Sequence, residues 1–185
     1  MAAPMSDYDQ WAPLLHALGF CPLPIIPGAK IPGEYIGCGK YRRLSDWSAR
    51  PPIMSAQPGA GIGLRLGEGL VGIDIDTDDE DFRIKILSKF VPRGPRDDRK
   101  GDEWKTISRI GQRGELFFLR VHRGRKVMSR KFPIEKRAVL EVLAVGTQCV
   151  LPPAIHPSTG KPYRWGENGW TLYNADLETL PEWLA

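Results

Sequence analysis

Cysteine is scarce in this chain. Cys21, Cys38 and Cys149 are the only three in 185 residues, and no CxxC pair occurs. An odd, scattered set argues against a disulfide framework and a zinc knuckle, and for a reducing compartment. Long apolar runs are also missing. No stretch reaches the roughly 18 residues that a membrane-spanning helix needs. The N-terminus lacks the basic-then-apolar pattern of a secretory leader. These absences predict a cytoplasmic protein with no membrane partner. Residues 67–72 spell GxGxxG, but they turn one expected strand into the next rather than a strand into a helix, and no P-loop occurs, so neither of those phosphate cradles is indicated. There is no internal repeat and no low-complexity segment.

What is present is ordinary in amount and uneven in placement. Charged residues make up 26% and hydrophobic residues 42%, as expected for a soluble globular chain of one full domain or two small ones. The net charge is only +4, yet residues 120–137 hold eight Lys or Arg and one acid, Glu135. Such a block suits a phosphate backbone, and a solvated basic hairpin is the alternative.

The chain is organised around GLVGIDIDTD, residues 69–78. Leu70, Val71, Ile73 and Ile75 predict a buried strand. Asp74 and Asp76, two apart, emerge on one face of it. Paired carboxylates beside an apolar core are costly unless a cation holds them, and hard oxygen donors favour Mg²⁺ or Mn²⁺ over Zn²⁺. A strand ending in an Asp-rich turn, with a helix N-cap among residues 77–79, explains the same residues without metal.

Around this strand the pattern alternates short helices and strands. Residues 6–18 predict a helix capped by Ser6 or Asp7, with Pro13 in its second turn. Residues 20–26 predict a proline-broken edge strand. The loop 27–32 presents Lys30 toward solvent or toward a phosphate. Residues 33–58 predict irregular structure with one short helix near 44–48. Residues 61–66 predict a strand that turns tightly at 67–69 into the aspartate strand as a hairpin. A helix is expected over 79–90, a mobile loop over 91–105, and strands over 106–110, 115–121, 125–133, 138–145, 147–151 and 161–165. The 147–151 strand is expected to partner 138–145. The residues from 176 onward read as a helix start leading to a missing downstream region.

Glu141 sits in AVLEVLA, residues 138–144. An acid in such a run is expensive unless it is paired with a nearby cation or bound to a metal. With Asp74 and Asp76 it would complete a three-carboxylate set able to hold two ions about 4 Å apart. The following LPPAIHPSTGKPYRW, residues 151–165, offers His156, Lys161, Tyr163, Arg164 and Trp165 within ten residues. A proline-rich hairpin with a core tryptophan is the structural alternative.

The PGAKIP loop (27–32), the 61–76 segment ending in Asp-Ile-Asp, Glu141 followed by Gly146, and the 151–165 motif occur in this order. Together the set resembles the bifunctional primase–polymerase (prim-pol) family of the archaeo-eukaryotic primase superfamily, found in phage, prophage and plasmid replication proteins. The resemblance implies a single catalytic α/β (α+β) domain over 1–185. Its N-terminal αβ unit (1–68) would pack on an RRM-like, mostly antiparallel half (69–175), with the active site in the cleft between them and 176–185 starting a linker. It implies template-directed nucleotidyl transfer of (d)NTPs onto a 3′-hydroxyl. Asp74, Asp76 and Glu141 would be the metal-binding catalytic acids, with two Mg²⁺ or Mn²⁺ ions and no zinc. Arg109, Arg113, Lys30 and His156 would grip the triphosphate. Arg123, Arg125, Lys126, Arg130, Lys131, Lys161, Tyr163 and Trp165 would hold nucleic acid. Single-stranded template, primer, nucleotides and a fused or separate helicase are the implied partners, in a bacterial host cytoplasm. The family's serine-x-histidine motif is not matched: its histidine position falls near Glu115. A non-catalytic module binding single-stranded DNA or nucleotide, and a metal-dependent nuclease, are the competing readings.

Overall fold

The computed structural model describes residues 5–47, 53–54, 57–90, 107–122, 124–134, 138–166, 171–172, 177 and 179–180. Helix α1 (Asp7–Ala17) begins where Ser6 accepts the Asp9 N–H at 3.0 Å, and Asp7 and Asp9 meet the positive end of the helix dipole. Pro13 is accommodated inside it. Gly19 follows the helix at φ 89°, a left-handed conformation open to glycine. The buried face of α1 is Tyr8, Ala12 and Leu15, at helical spacing. It covers a three-stranded antiparallel sheet of order β1 (Pro22–Ile25), β4 (Gly61–Arg65) and β10 (Gln148–Val150). β1 lies at the edge, where Pro22 and Pro24 withdraw no needed ladder donor.

The larger sheet has six strands, with every neighbouring pair antiparallel. Its order is β11 (Arg164–Trp165), β6 (Ser108–Ile110), β7 (Gly114–Arg120), β5 (Leu70–Asp76), β9 (Ala138–Leu143) and β8 (Arg130–Ile134). A parallel bridge joins Arg120 to Thr179. Alternation along β5 divides its residues between two cores. Val71, Ile73 and Ile75 join Phe117, Leu119, Leu140 and Val142 on one face. Ile86 and Phe82 of α2 (Glu80–Phe90) cover that face. On the other face, Leu116, Phe118 and Leu143 pack with α1 and the Ile62–Leu64–Leu66 side of the β4 segment. Asp79 is the cap of α2, accepting the Phe82 N–H at 2.9 Å. The fold is therefore mixed α/β with mostly antiparallel sheets. Among the described residues no helix is long and apolar enough to cross a membrane.

Several expectations need correction. The stretch expected to be irregular contains a hairpin, β2 (Gly33–Gly37) and β3 (Lys40–Arg43), turned at Cys38 and Gly39 with φ of 52° and 72°. Tyr35 meets Tyr41 edge-on and Arg42 bonds Glu34 at 2.6 Å across it. Residues 44–47 are not helical. The turn at Gly67, Glu68 and Gly69 does not make a hairpin ladder. All three adopt positive φ, and the chain passes from one sheet to the other with a single bridge between Gly67 and Leu70. β10 pairs with β4, not with β9. β8 starts later than expected, at Arg130. The loop expected over 91–105 and most of the segment from 176 lie outside the described residues.

Candidate active site

The site is built on one row of the large sheet. Asp74 on β5 stands opposite Leu116 of β7 on one side and opposite Glu141 of β9 on the other. The row continues to Arg109 on β6 beyond Leu116, and to Lys131 on β8 beyond Glu141. Residues in register across a sheet share a face, so both acids and both cations face away from α2. Asp76 joins them two residues along β5. Thus one strand supplies two carboxylates and its neighbour the third, as strand periodicity requires.

A cavity of about 230 Å³ opens over the Asp74 and Arg109 part of this row; Glu141 and Lys131 do not border it. Lys30, Asp74, Asp76, Arg109, Arg113, His156 and Tyr163 all border it, although they come from distant parts of the chain. Arg109 is buried, with its guanidinium 4.6 Å from the centre of the Tyr163 ring and 3.9 Å from Asp74 Oδ1. Its Nε is shielded from solvent with no hydrogen-bond partner among the described residues. Arg113 is half-exposed and bridges Asp78 at 3.1 Å and Asp76 at 4.0 Å. Glu141 pairs with Lys131 at 3.3 Å.

Electrostatics single out Asp74. Burial raises its carboxyl above the ordinary carboxylate range, Asp76 and Glu141 raise it further, and Arg109 and Lys30 oppose them. Burial and the nearby Arg109 lower the Lys30 ammonium, against the pull of Asp74 and Asp76. The His156 imidazole is lowered by burial, Lys30 and Arg109. Its Nδ1 lies 3.3 Å from the Ser158 N–H and 3.1 Å from the Ser158 hydroxyl. Below this layer, burial pushes the Cys149 thiol up to about 12, which makes it an inert packing group.

The carboxylate oxygens are the hard donors that Mg²⁺ and Mn²⁺ prefer, and the burdened Asp74 gains from any added cation. Among the described residues, however, no three His, Cys, Asp or Glu side chains converge as a ready-made cage. Arg109, Arg113 and Lys131 stand beside the acids instead. Donor type suits a divalent ion; the placement, with each acid beside a cation, does not form a ready ligand set.

The remaining predicted residues are dispersed. Arg130 is the exposed neighbour of Lys131 on β8, and strand alternation turns it to the other face. Arg125 and Lys126 border a largely apolar groove of about 860 Å³ with Leu70 and Arg120, at the opposite end of β5 from Asp76. Arg123 lies outside the described residues. Lys161 borders a neighbouring cavity of about 570 Å³, which shares Gly111, Gln112, His156 and Tyr163 with the first. Trp165 is half-buried and its ring centre lies 6.4 Å from that of Phe118, which makes it a core side chain. Glu115, near the unmatched histidine position, faces α2: it accepts from Ser108 and meets Arg83 at 3.6 Å. A side chain there does not reach the cavity, whereas Arg109 does. Gln112 and Ser158 also border the cavity, and the Ser158 hydroxyl donates to Gln112 at 2.8 Å. Both lie inside motifs visible in the sequence, but a neutral amide and a hydroxyl carry no signal of their own.

An α/β domain that gathers acids and guanidinium groups in one cavity is built to handle phosphate esters. The chain belongs to the Prim-Pol family, described as bifunctional DNA primase/polymerase, N-terminal, whose family model matches residues 15–183. At the family level this supports primase/polymerase-type nucleotidyl transfer, with a DNA template and nucleotides as the implied substrates. No curated protein matches the chain.

Proposed function

We propose that this chain is a template-directed DNA primase/polymerase domain that joins (d)NTPs to a 3′-hydroxyl in phage or plasmid replication. The observation that carries the reading is the register of Asp74 with Glu141, with Asp76 on the same face and Arg109 and Arg113 at the same cavity. The large sheet with α2 on one face would be the RRM-like half, and the cavity would be its cleft against the N-terminal unit.

In this reading Asp74, Asp76 and Glu141 hold two Mg²⁺ or Mn²⁺ ions. When bound, such ions lower the pKa of the attacking hydroxyl and neutralise the leaving pyrophosphate. Arg109 offers its terminal guanidinium nitrogens to the phosphates, held over the Tyr163 ring. Arg113 leaves Asp76 and Asp78 for the same purpose, and Lys30 adds a third cation. His156, kept neutral by its surroundings, donates from Nε2 while Nδ1 accepts from Ser158. Lys131 moves from Glu141 to the template backbone. Arg123, Arg125, Lys126 and Lys161 extend the nucleic-acid path by charge; Arg130, on the other face, and Tyr163, buried beneath Arg109, do not join it. A helicase, fused or separate, would supply the unwound template.

One observation favours a second reading. The ion pairs Arg109–Asp74 and Lys131–Glu141 neutralise the acids without metal, as a non-catalytic module for single-stranded DNA or nucleotide would have them. Incubating the domain with a primed single-stranded template, dNTPs or NTPs, and Mg²⁺ or Mn²⁺ separates the two. Primer extension that disappears in Asp74→Asn/Asp76→Asn, with DNA binding kept, supports the polymerase. Saturable binding without extension supports the module. Shortening of labelled DNA would mean that the same acids serve a nuclease.

A further inference from the structure

Lys30 reaches the cavity from a loop whose far end is held by the Ile25–Pro32 bridge and the Leu44 N–H to Pro32 C=O bond at 3.0 Å, while Lys30 itself lies in no helix or strand. The loop closes on itself through Ile26 N–H to Ile31 C=O and Ala29 N–H to Ile26 C=O, each 3.0 Å. Those bonds shape the loop but do not tie it to the acids. The tie comes from β10. The Gln148 side chain donates from Nε2 to the Lys30 carbonyl at 2.7 Å, across 118 residues of sequence. A carbonyl can only accept, so the amide must present its nitrogen there. The other end of the amide, Oε1, is then shielded from solvent with no hydrogen-bond partner among the described residues. An orphaned buried acceptor is unfavourable, so the orientation is imposed by the bond to Lys30.

The placement of Gln148 makes the tie consequential. It precedes Cys149, which packs in one core with Leu116 and Phe118 of the large sheet. β10 also pairs with β4, so it is fixed in the small sheet while lying close to the acids of the large one. The amide therefore couples the loop to a rigid element beside the cavity. A surface loop without such an anchor loses affinity to the entropy of ordering its lysine.

We propose that Gln148 is a positioning residue for nucleotide binding: it clamps the 27–32 loop so that Lys30 is presented to the cavity before the triphosphate arrives. This inference rests on the reading of the cavity as a triphosphate site, and it assigns Gln148 no contact with substrate. The test is a double-mutant cycle read by dTTP affinity with Mg²⁺, steady-state KM and kcat, and thermal melting. Gln148→Met keeps the length and removes the donor; Gln148→Glu keeps the shape and presents only acceptors, so either variant can decide the matter if the other folds poorly.

Each variant is expected to weaken dTTP binding and raise KM about three- to tenfold, the worth of one hydrogen bond, with kcat within about twofold. In a Lys30→Met background neither should have a further effect, because Gln148 acts only through Lys30. Full multiplication of the two effects would overturn the proposal. So would an unchanged affinity in both Gln148 variants while Lys30→Met alone weakens binding. If Lys30→Met leaves dTTP affinity intact, the triphosphate reading of Lys30 fails first, and the proposal with it.

Discussion

Asp74 carries its charge against a burial penalty. Burial raises its carboxyl in the folded state, so the protonated form is favoured there relative to the unfolded chain. A raised group contributes stability below its unfolded value, near 4 for aspartate, and loses that contribution as pH rises through the folded value. At neutral pH the carboxylate is therefore a burden on the fold. Asp74→Asn is expected to melt higher than the parent at pH 7, by ~2–4 °C for each kcal/mol relieved in a chain of this size. The advantage should shrink as the pH falls through the raised folded value and be gone below about 4, the unfolded value. Melting curves from pH 3.5 to 7.5 check this. A lower melting temperature at pH 7 would mean that the pair with Arg109 outweighs burial. The same variant should have no extension activity, since stability and function conflict at this residue. Arg109 makes a second residue-scale test. Lysine keeps its charge but loses the planar fork over Tyr163. Arg109→Lys is expected to raise nucleotide KM by on the order of tenfold, the worth of a charge-assisted bond. Unchanged steady-state kinetics would remove Arg109 from the phosphate site.

At the scale of elements, the site depends on how closely β7 approaches β5. Gly114 opens β7 opposite Asp76, and a Cβ there would run into the Ile75 carbonyl. Gly114→Ala is expected to cost ~1–3 kcal/mol, measured by chemical denaturation, and to lower activity by displacing Asp76. A fully stable, fully active variant would show that this contact does not hold the acid in place. Local pattern made these elements legible where period and composition agree. Apolar alternation with Asp at a spacing of two identified β5 and the face of its acids. The same alternation put Glu141 on one side of β9 and Leu140 and Val142 on the other. Strand partnership was not legible. β10 has three residues, and nothing in them distinguishes β4 from β9 as neighbour. The glycines at 67 and 69 signalled a turn, but its hand, which sends the chain into another sheet, lies in backbone angles. The β2–β3 hairpin went unread because its turn uses Cys38 at positive φ, where glycine or asparagine is the usual cue.

For the whole molecule, the basic block of 120–137 is not one surface. Lys131 stands beside Glu141, while Arg125 and Lys126 border the groove at the other end of β5. A single strand touching both must run along the sheet. Its affinity should fall linearly in log–log form with salt, at about 0.7 per phosphate contact. Replacing Arg125 and Lys126 with Glu is then expected to flatten that slope by roughly 1.4, as read by fluorescence anisotropy over a salt series. A slope equal to the parent's would end the template path near Lys131. Charge reversal at Lys131 should instead affect extension as well as binding, because of its neighbour Glu141.

If Asp74, Asp76 and Glu141 together hold cations beside a triphosphate, bound Mn²⁺ can be counted by electron paramagnetic resonance with a non-hydrolysable nucleotide present. Two ions per chain are expected for the parent, with weakened binding in Glu141→Gln and near-complete loss in Asp74→Asn/Asp76→Asn. Undiminished Mn²⁺ binding in Glu141→Gln would contradict the three-acid site, and undiminished binding in the double variant would contradict the account as a whole.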